Sequence, residues 1–338
     1  MAASVVYIVH SSQWVLTYSG VNITSDVSEM VLAIRYVDRL DGASGELEID
    51  LEDSAKLWQG PWYPALGDVV SLQIGYQNES LLDCGAFQID ELELDGPPDV
   101  IRLRCLGAYI TPAMRTANTF AYENVGILEI AAQIAAKYGL TLVIAPSESE
   151  SDLRFARVTQ RRQTDLEFLK RLAREHNFDF TVRAGQLIFY DRTALESVPP
   201  ALAIARSDTM RFAFRNRARR IYDGAVFSYF DPDTKELITE SVSTDSASPT
   251  GDTLKIVARC ENSEQAQVKA QALLHFHNMI AVDASLEGPG NTVLVAGNNV
   301  QLNGWGALDG TYLIETAQHR LSRASGYTTS IAARRVNV

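Results

Sequence analysis

The 338-residue sequence predicts an α+β chain that is mostly β, with two related β domains joined by a small mixed α/β region. The first observation is an internal echo. Gly67-Asp68-Val69-Val70-Ser71-Leu72 followed by Gly85-Ala86-Phe87-Gln88-Ile89 returns near the end as Gly297-Asn298-Asn299-Val300-Gln301-Leu302 followed by Gly310-Thr311-Tyr312-Leu313-Ile314. Each copy is a turn glycine, an alternating strand, a second turn glycine and an aromatic-x-Ile strand, and a further strand follows (Val100 to Leu106, Tyr327 to Ala333). The second observation is strict alternation elsewhere in the flanking regions, and the third is a helical period in the middle.

Residues 1–108 read as the first β domain. Val31 to Val37 is rich in β-formers, Asp41-Gly42 is a turn signal, and Gln59-Gly60-Pro61-Trp62-Tyr63-Pro64 is a loop. In Glu46-Leu47-Glu48-Ile49-Asp50-Leu51-Glu52 the apolar residues face a core, and Glu46, Glu48, Asp50 and Glu52 share the opposite face. Trp58, Trp62 and Tyr63 read as core plugs more than interface anchors.

Residues 109–203 form the mixed region. Asn124 is a candidate cap for a helix to about Tyr138, stopped by Gly139, with Ile127, Ile130, Ala131, Ile134 and Ala135 as its apolar stripe. Thr164-Asp165-Leu166-Glu167 is a capping box opening a second helix that ends near Asn177. Strands Phe178 to Arg183 and Gln186 to Tyr190 flank an Ala184-Gly185 turn, and Glu196 to Pro200 is the exit linker.

Residues 204–338 return to β. Tyr222 to Phe230 and Thr234 to Thr244 read as a hairpin around Asp231-Pro232-Asp233, and Ser243 to Asp252 as a polar loop. A helix capped by Asn262 or Ser263 interrupts the strands near 262–280, before the echoed strands close the chain.

Composition narrows the function. A formal charge of -12 argues against general nucleic-acid binding, which needs a basic footprint. Cys84, Cys105 and Cys260 lie far apart without metal spacing and read as free thiols of a reducing compartment. The start of the chain reads as a strand and not as a signal peptide. His10, His176, His275, His277 and His319 form no metal motif, and neither a nucleophile elbow nor a phosphate loop is present, so no catalytic residue, cofactor or metal is expected. The acidic row could supply paired carboxylates for glycoside hydrolysis, but alternating acids on one strand face are more often a solvated face. Arg215, Arg217, Arg219 and Arg220 stand out in an acidic chain, either as a solvated edge or as an interface to an acidic face of a neighbouring subunit.

Three ordered patterns resemble a known family. They are Gly60-Pro61-Trp62-Tyr63-Pro64 with Gly67-Asp68-x-Val70; Asp165-Leu166-Glu167-Phe168-Leu169-x-x-Leu172-Ala173 with Phe178-x-Phe180 and Leu187-Ile188-Phe189; and Gly310-Thr311-Tyr312-Leu313-Ile314, His319, Gly326-Tyr327-Thr328-Thr329 and Arg334. Together they are similar to the late control D family, the baseplate hubs of contractile phage tails and tailocins, related to the base of type VI secretion spikes. The resemblance implies two tail-tube-like β-barrels, a non-enzymatic structural role and a homotrimer that adapts a three-fold spike to a six-fold tube and nucleates tube assembly. Its implied partners are the trimeric central spike, the tail tube protein and other baseplate proteins. The chain would be made in the bacterial cytoplasm and reside in the baseplate of a virion or tailocin. No specific nucleic-acid binding is expected, and passage of DNA is left open for a phage particle. On this view Glu46, Glu48, Asp50 and Glu52 face the channel, and the arginines at 215, 217, 219 and 220 meet a neighbouring subunit. The alternatives are a cell-wall hydrolase acting through the acidic row and a glycan-binding module built on the middle region.

Overall fold

The computed structural model describes residues 11–40, 45–109, 113–145, 154–217, 221–231, 234–244, 251–279 and 281–336. The Asp41-Gly42 turn, the Asp231-Pro232-Asp233 turn beyond Asp231, most of the 243–252 loop and the first ten residues lie outside them.

The first unit comprises β1 (Ser12–Tyr18), β2 (Val21–Asn22), α1 (Thr24–Val27), β3 (Val31–Arg39), β4 (Glu46–Glu52), β5 (Val69–Tyr76), β6 (Leu82–Asp95) and β7 (Val100–Gly107). The middle region follows with β8 (Asn118–Gly126), α2 (Ile127–Lys137), β9 (Thr141–Ala145), β10 (Arg154–Gln163), α3 (Asp165–Glu175), β11 (Phe178–Arg183), β12 (Gln186–Asp191) and α4 (Arg192–Glu196). The second unit comprises β13 (Leu202–Ala205), β14 (Arg211–Asn216), an insertion of β15 (Gly224–Asp231), β16 (Glu236–Ser243), β17 (Thr253–Val257) and α5 (Ser263–Asn278), and then β18 (Val282–Pro289), β19 (Asn299–Asn303), β20 (Gly310–Ser322) and β21 (Gly326–Arg335).

The sequence echo is a structural repeat. In the first unit the neighbours run β3-β4-β7-β6-β5, and in the second β14-β18-β21-β20-β19. Val70 lies opposite Phe87 as Val300 lies opposite Tyr312. The Gly67 and Gly297 N–H groups donate to Ile89 and Ile314 carbonyls at 2.8 and 2.9 Å, and those isoleucines donate back to Asp68 and Asn298 at 3.0 Å each. Both glycines sit at positive φ, +91° and +93°, where a side chain is strained. A one-residue bulge falls at the same place in each unit, after Ile89 and after Ile314. Even the aromatic packing repeats: Tyr36 meets Phe87 edge-on at 5.9 Å, and Phe214 meets Tyr312 at 6.0 Å.

Two closed barrels do not form among the described residues. β20 changes partner along its length, from β19 at Gly310–Leu313 to β3 at Thr316–Ser322, so the edge of β3 pairs across to the other unit instead of back onto its own. The result is one thirteen-stranded, mostly antiparallel sheet. The strands around Tyr222–Phe230 and Thr234–Thr244 also depart from expectation. They leave the main sheet and, with β17, form a separate three-stranded sheet against α5, so the insertion is larger than a helix. Local alternation specifies a strand, and non-local pairing decides which sheet it joins.

In the middle region the stripe Ile127, Ile130, Ala131, Ile134 and Ala135 is buried as its period requires. Gly126, not Asn124, caps α2; Asn124 takes a left-handed φ of 51° at the strand-to-helix turn. The capping box at Thr164 and Glu167 is formed, with both reciprocal hydrogen bonds present. Buried side chains tie the parts together. Asp38 on β3 accepts from Arg183 of β11 at 3.2 Å and from the Ala296 N–H at 3.0 Å, while Leu40, Ile188, Tyr190, Leu195, Ala296 and Leu313 form one apolar cluster. Arg334 of β21 bonds Glu196 at the end of α4, and Glu196 also holds His275 of α5 at 3.2 Å.

Candidate assembly surface

The acidic row occupies the predicted face of β4, since Leu47, Ile49 and Leu51 are buried on the other. The row is not bare. β4 lies between β3 and β7, and both neighbours present arginines to it. Glu46 pairs with Arg39 at 3.4 Å, Glu48 with Arg35 at 2.9 Å and Arg104 at 3.7 Å, and Asp50 with Arg102 at 2.7 Å. Glu52 meets Arg323, beyond β20, at 3.4 Å. Arg102 and Arg104 reach onward to Glu93 of β6 at 3.1 and 3.0 Å, and Arg104 also to Glu91 at 3.0 Å. The Asp50 carboxylate, the largest influence on Arg102, raises its guanidinium above the ordinary value.

The face is therefore a lattice in columns: basic on β3, acidic on β4, basic on β7, acidic on β6. Its members are half-buried to exposed, where single ion pairs contribute little and the repeating pattern matters more for recognition. A depression of about 290 Å³ lies among Arg35, Glu46, Glu48 and Arg104. Its carboxylates are engaged by guanidinium groups, unlike a pair held ready across a glycosidic bond. Among the described residues no group of three or more His, Cys, Asp or Glu is placed to hold a metal ion.

The basic stretch divides. Arg215 is exposed on β14, and Arg217, just beyond the strand, bonds Asp283 of β18; Arg219 and Arg220 lie outside the described residues. β14 ends the sheet, with β18 on one side and no strand on the other among the described residues. Sequence reasoning missed β14 as a strand and missed Arg35, Arg102 and Arg104 as partners of the acidic row. The spacing Arg102-x-Arg104, which sets two arginines on one face of β7, is the signal the sequence carries.

The tryptophan loop splits as well. Trp58 is buried in the first core, whereas Trp62 and Tyr63 are exposed beside Leu66. With Tyr18, Ile23 and Trp58 they border a groove of about 580 Å³. His319, by contrast, is wholly buried, bonded to the Tyr327 hydroxyl at 2.8 Å and the Leu294 carbonyl at 3.0 Å, and burial lowers its imidazole from 6.5 to about 4.

No family model matches the chain. Over 217 residues it is 27% identical to the probable baseplate hub protein of Escherichia phage 186, covering 63% of this chain and 54% of that one. Over that stretch the chain is similar to phage baseplate hub proteins. The match spans about half the length of that relative. The tail protein of Neisseria meningitidis MC58 shares the fold over 96% of this chain and 97% of its own, with a TM-score of 0.73 at 11% identity. A type VI secretion system component of E. coli does so over 95% of this chain and 77% of its own, with a TM-score of 0.56 at 14% identity. At such identities the likeness speaks for the fold alone.

Proposed function

We propose that the chain is a structural hub in the baseplate of a contractile injection machine, in a phage or tailocin particle, and that it acts without catalysing a reaction. Three copies form a ring that joins a three-fold spike to a six-fold tail tube and nucleates assembly of that tube. The observation that carries this reading is the duplicated strand plan, with the same register, bulge and glycine turns in both units. Three chains with two equivalent units each offer six similar positions, so duplication reconciles the two symmetries. On this reading the chain divides at about 1–108, 109–203 and 204–338, and the outer two parts take the place of tube-like subunits, open to their neighbours and not closed on themselves. The partners are the spike, the tube protein and other baseplate proteins.

The charged face of β4, with Glu46, Glu48, Asp50 and Glu52, lines the channel. Because these carboxylates are matched by arginines, the lining is nearly balanced in charge and offers passing phosphates little to hold. The test is the solution mass of the purified chain by light scattering, alone and with its cognate spike protein. A trimer in either sample is expected. A monomer that ignores the spike would overturn the ring.

A further inference from the structure

The junction inside the chain specifies a second one. At the internal junction the half of β20 beyond its bulge pairs with β21 on one side and antiparallel with β3 on the other, and His319 lies opposite Tyr36. The repeat makes β6 the counterpart of β20. Residues 91–95 of β6 pair with β7 on one side, and among the described residues no strand lies on the other. The counterpart of β3 is β14, because Tyr36 lies opposite Leu47 as Phe214 lies opposite Ala284, and Leu47 and Ala284 hold equivalent places beside Cys105 and Ala333. β14 likewise has no strand on its outer edge among the described residues. Each unit thus carries one half of a junction of which the chain completes only one.

We propose that residues 91–95 of β6 in one chain pair antiparallel with residues 213–217 of a second copy, in the register of the internal β20–β3 junction. This inference rests on the ring reading above and specifies how its chains meet. Transferring the internal register puts Glu91 opposite Arg217, Glu93 opposite Arg215, and Leu94 opposite Phe214. Three independent features favour this alignment. The first is charge: the columns run basic, acidic, basic, acidic across β3, β4, β7 and β6, and the incoming edge supplies the next basic column. The second is apolar exposure. Leu94 is 52% exposed and Phe212 42%, while the internal counterpart of Leu94, His319, is 0% exposed. The third is the aromatic scaffold, since Phe214 already stands on Tyr312 as Tyr36 stands on Phe87. Pairing would cover two sheet edges that otherwise invite indiscriminate association.

The experiment uses the full chain. Glu93→Cys and Arg215→Cys are made separately, mixed and oxidised; the native Cys84, Cys105 and Cys260 are buried. A mixed disulfide dimer is expected. The pairing of Glu93→Cys with Arg211→Cys, about 13 Å off register along the strand, yields none. In parallel, Glu93→Arg or Arg215→Glu alone weakens self-association by about tenfold or more, and the two reversals together restore it. A trimer by light scattering that forms no mixed disulfide and ignores both reversals overturns this junction and leaves the ring standing. A chain that stays monomeric with and without its cognate spike protein overturns both.

Discussion

The β20–β3 junction and its bare counterparts on β6 and β14 follow one strand plan, yet their side chains differ position by position. At the internal junction Ala317, His319 and Leu321 face Asp38, Tyr36 and Ile34, all buried. At the counterparts stand Leu92, Leu94 and Gly96 on one edge and Asn216, Phe214 and Phe212 on the other, with Leu94, Gly96, Asn216 and Phe212 exposed. The lesson is that an edge covered within its own chain can take core residues without risk, while an edge that must wait for a partner keeps charge and polarity beside its apolar contacts.

Substitution at matched positions should break this comparison most sharply. His319→Asp buries an unpaired charge and should cost about 4 kcal/mol in urea unfolding, enough to compromise expression. Leu94→Asp, its counterpart, should change monomer stability by less than about 0.5 kcal/mol while reducing assembly mass in light scattering. Equal losses at both sites would deny that one edge is covered and the other bare.

Acid should separate the two next. Burial holds the His319 imidazole at about 4 against an ordinary 6.5, so as pH falls through that interval the unfolded chain takes up a proton that the folded chain refuses. Stability is full above about pH 6.5, falls by about 3 kcal/mol on the way to pH 4, and loses no more from this group below that. His176 in the middle region is lowered to about 4 by the same cause and adds its own loss. The comparison that isolates the junction is therefore His319→Gln against the parent, and the variant should show the shallower pH dependence of its urea midpoint.

Asp38→Ala should follow at about 2 kcal/mol, because it strands the Arg183 guanidinium and leaves the Ala296 N–H without its acceptor. Asn216→Ala, at the counterpart position on the exposed edge, should be nearly neutral by the same measurement. The smallest effect belongs to the charged face. Glu48→Gln should cost less than about 1 kcal/mol and leave any wall-degrading activity of the particle unchanged; loss of such activity would revive the hydrolase alternative.

Much of this architecture was legible in the sequence because its signals are local. Gly67 and Gly297 mark turns that need positive φ, and alternation in residues 46–52 and the period of 127–135 report one neighbour at a time. What escaped was non-local. Arg35, which meets Glu48, lies on the preceding strand, but Arg102 and Arg104 come from a strand far along the chain, and only the sheet order places them there. β15 and β16 alternate like any hairpin, so nothing within them reveals that they belong to a separate sheet. The barrels are what the family resemblance implies; the transfer of β20 to β3 is a choice between distant partners that local pattern does not encode.

The insertion between β14 and β18 bears on how two copies of one plan come to differ. The equivalent connection, from β3 to β4, spans only residues 40–45, whereas residues 217–281 hold a sheet and a helix. A protein built from single units must ornament every unit alike. Fusion of two units in one chain lets evolution mark one and leave the other plain, giving a partner two distinguishable addresses on an otherwise repeating surface.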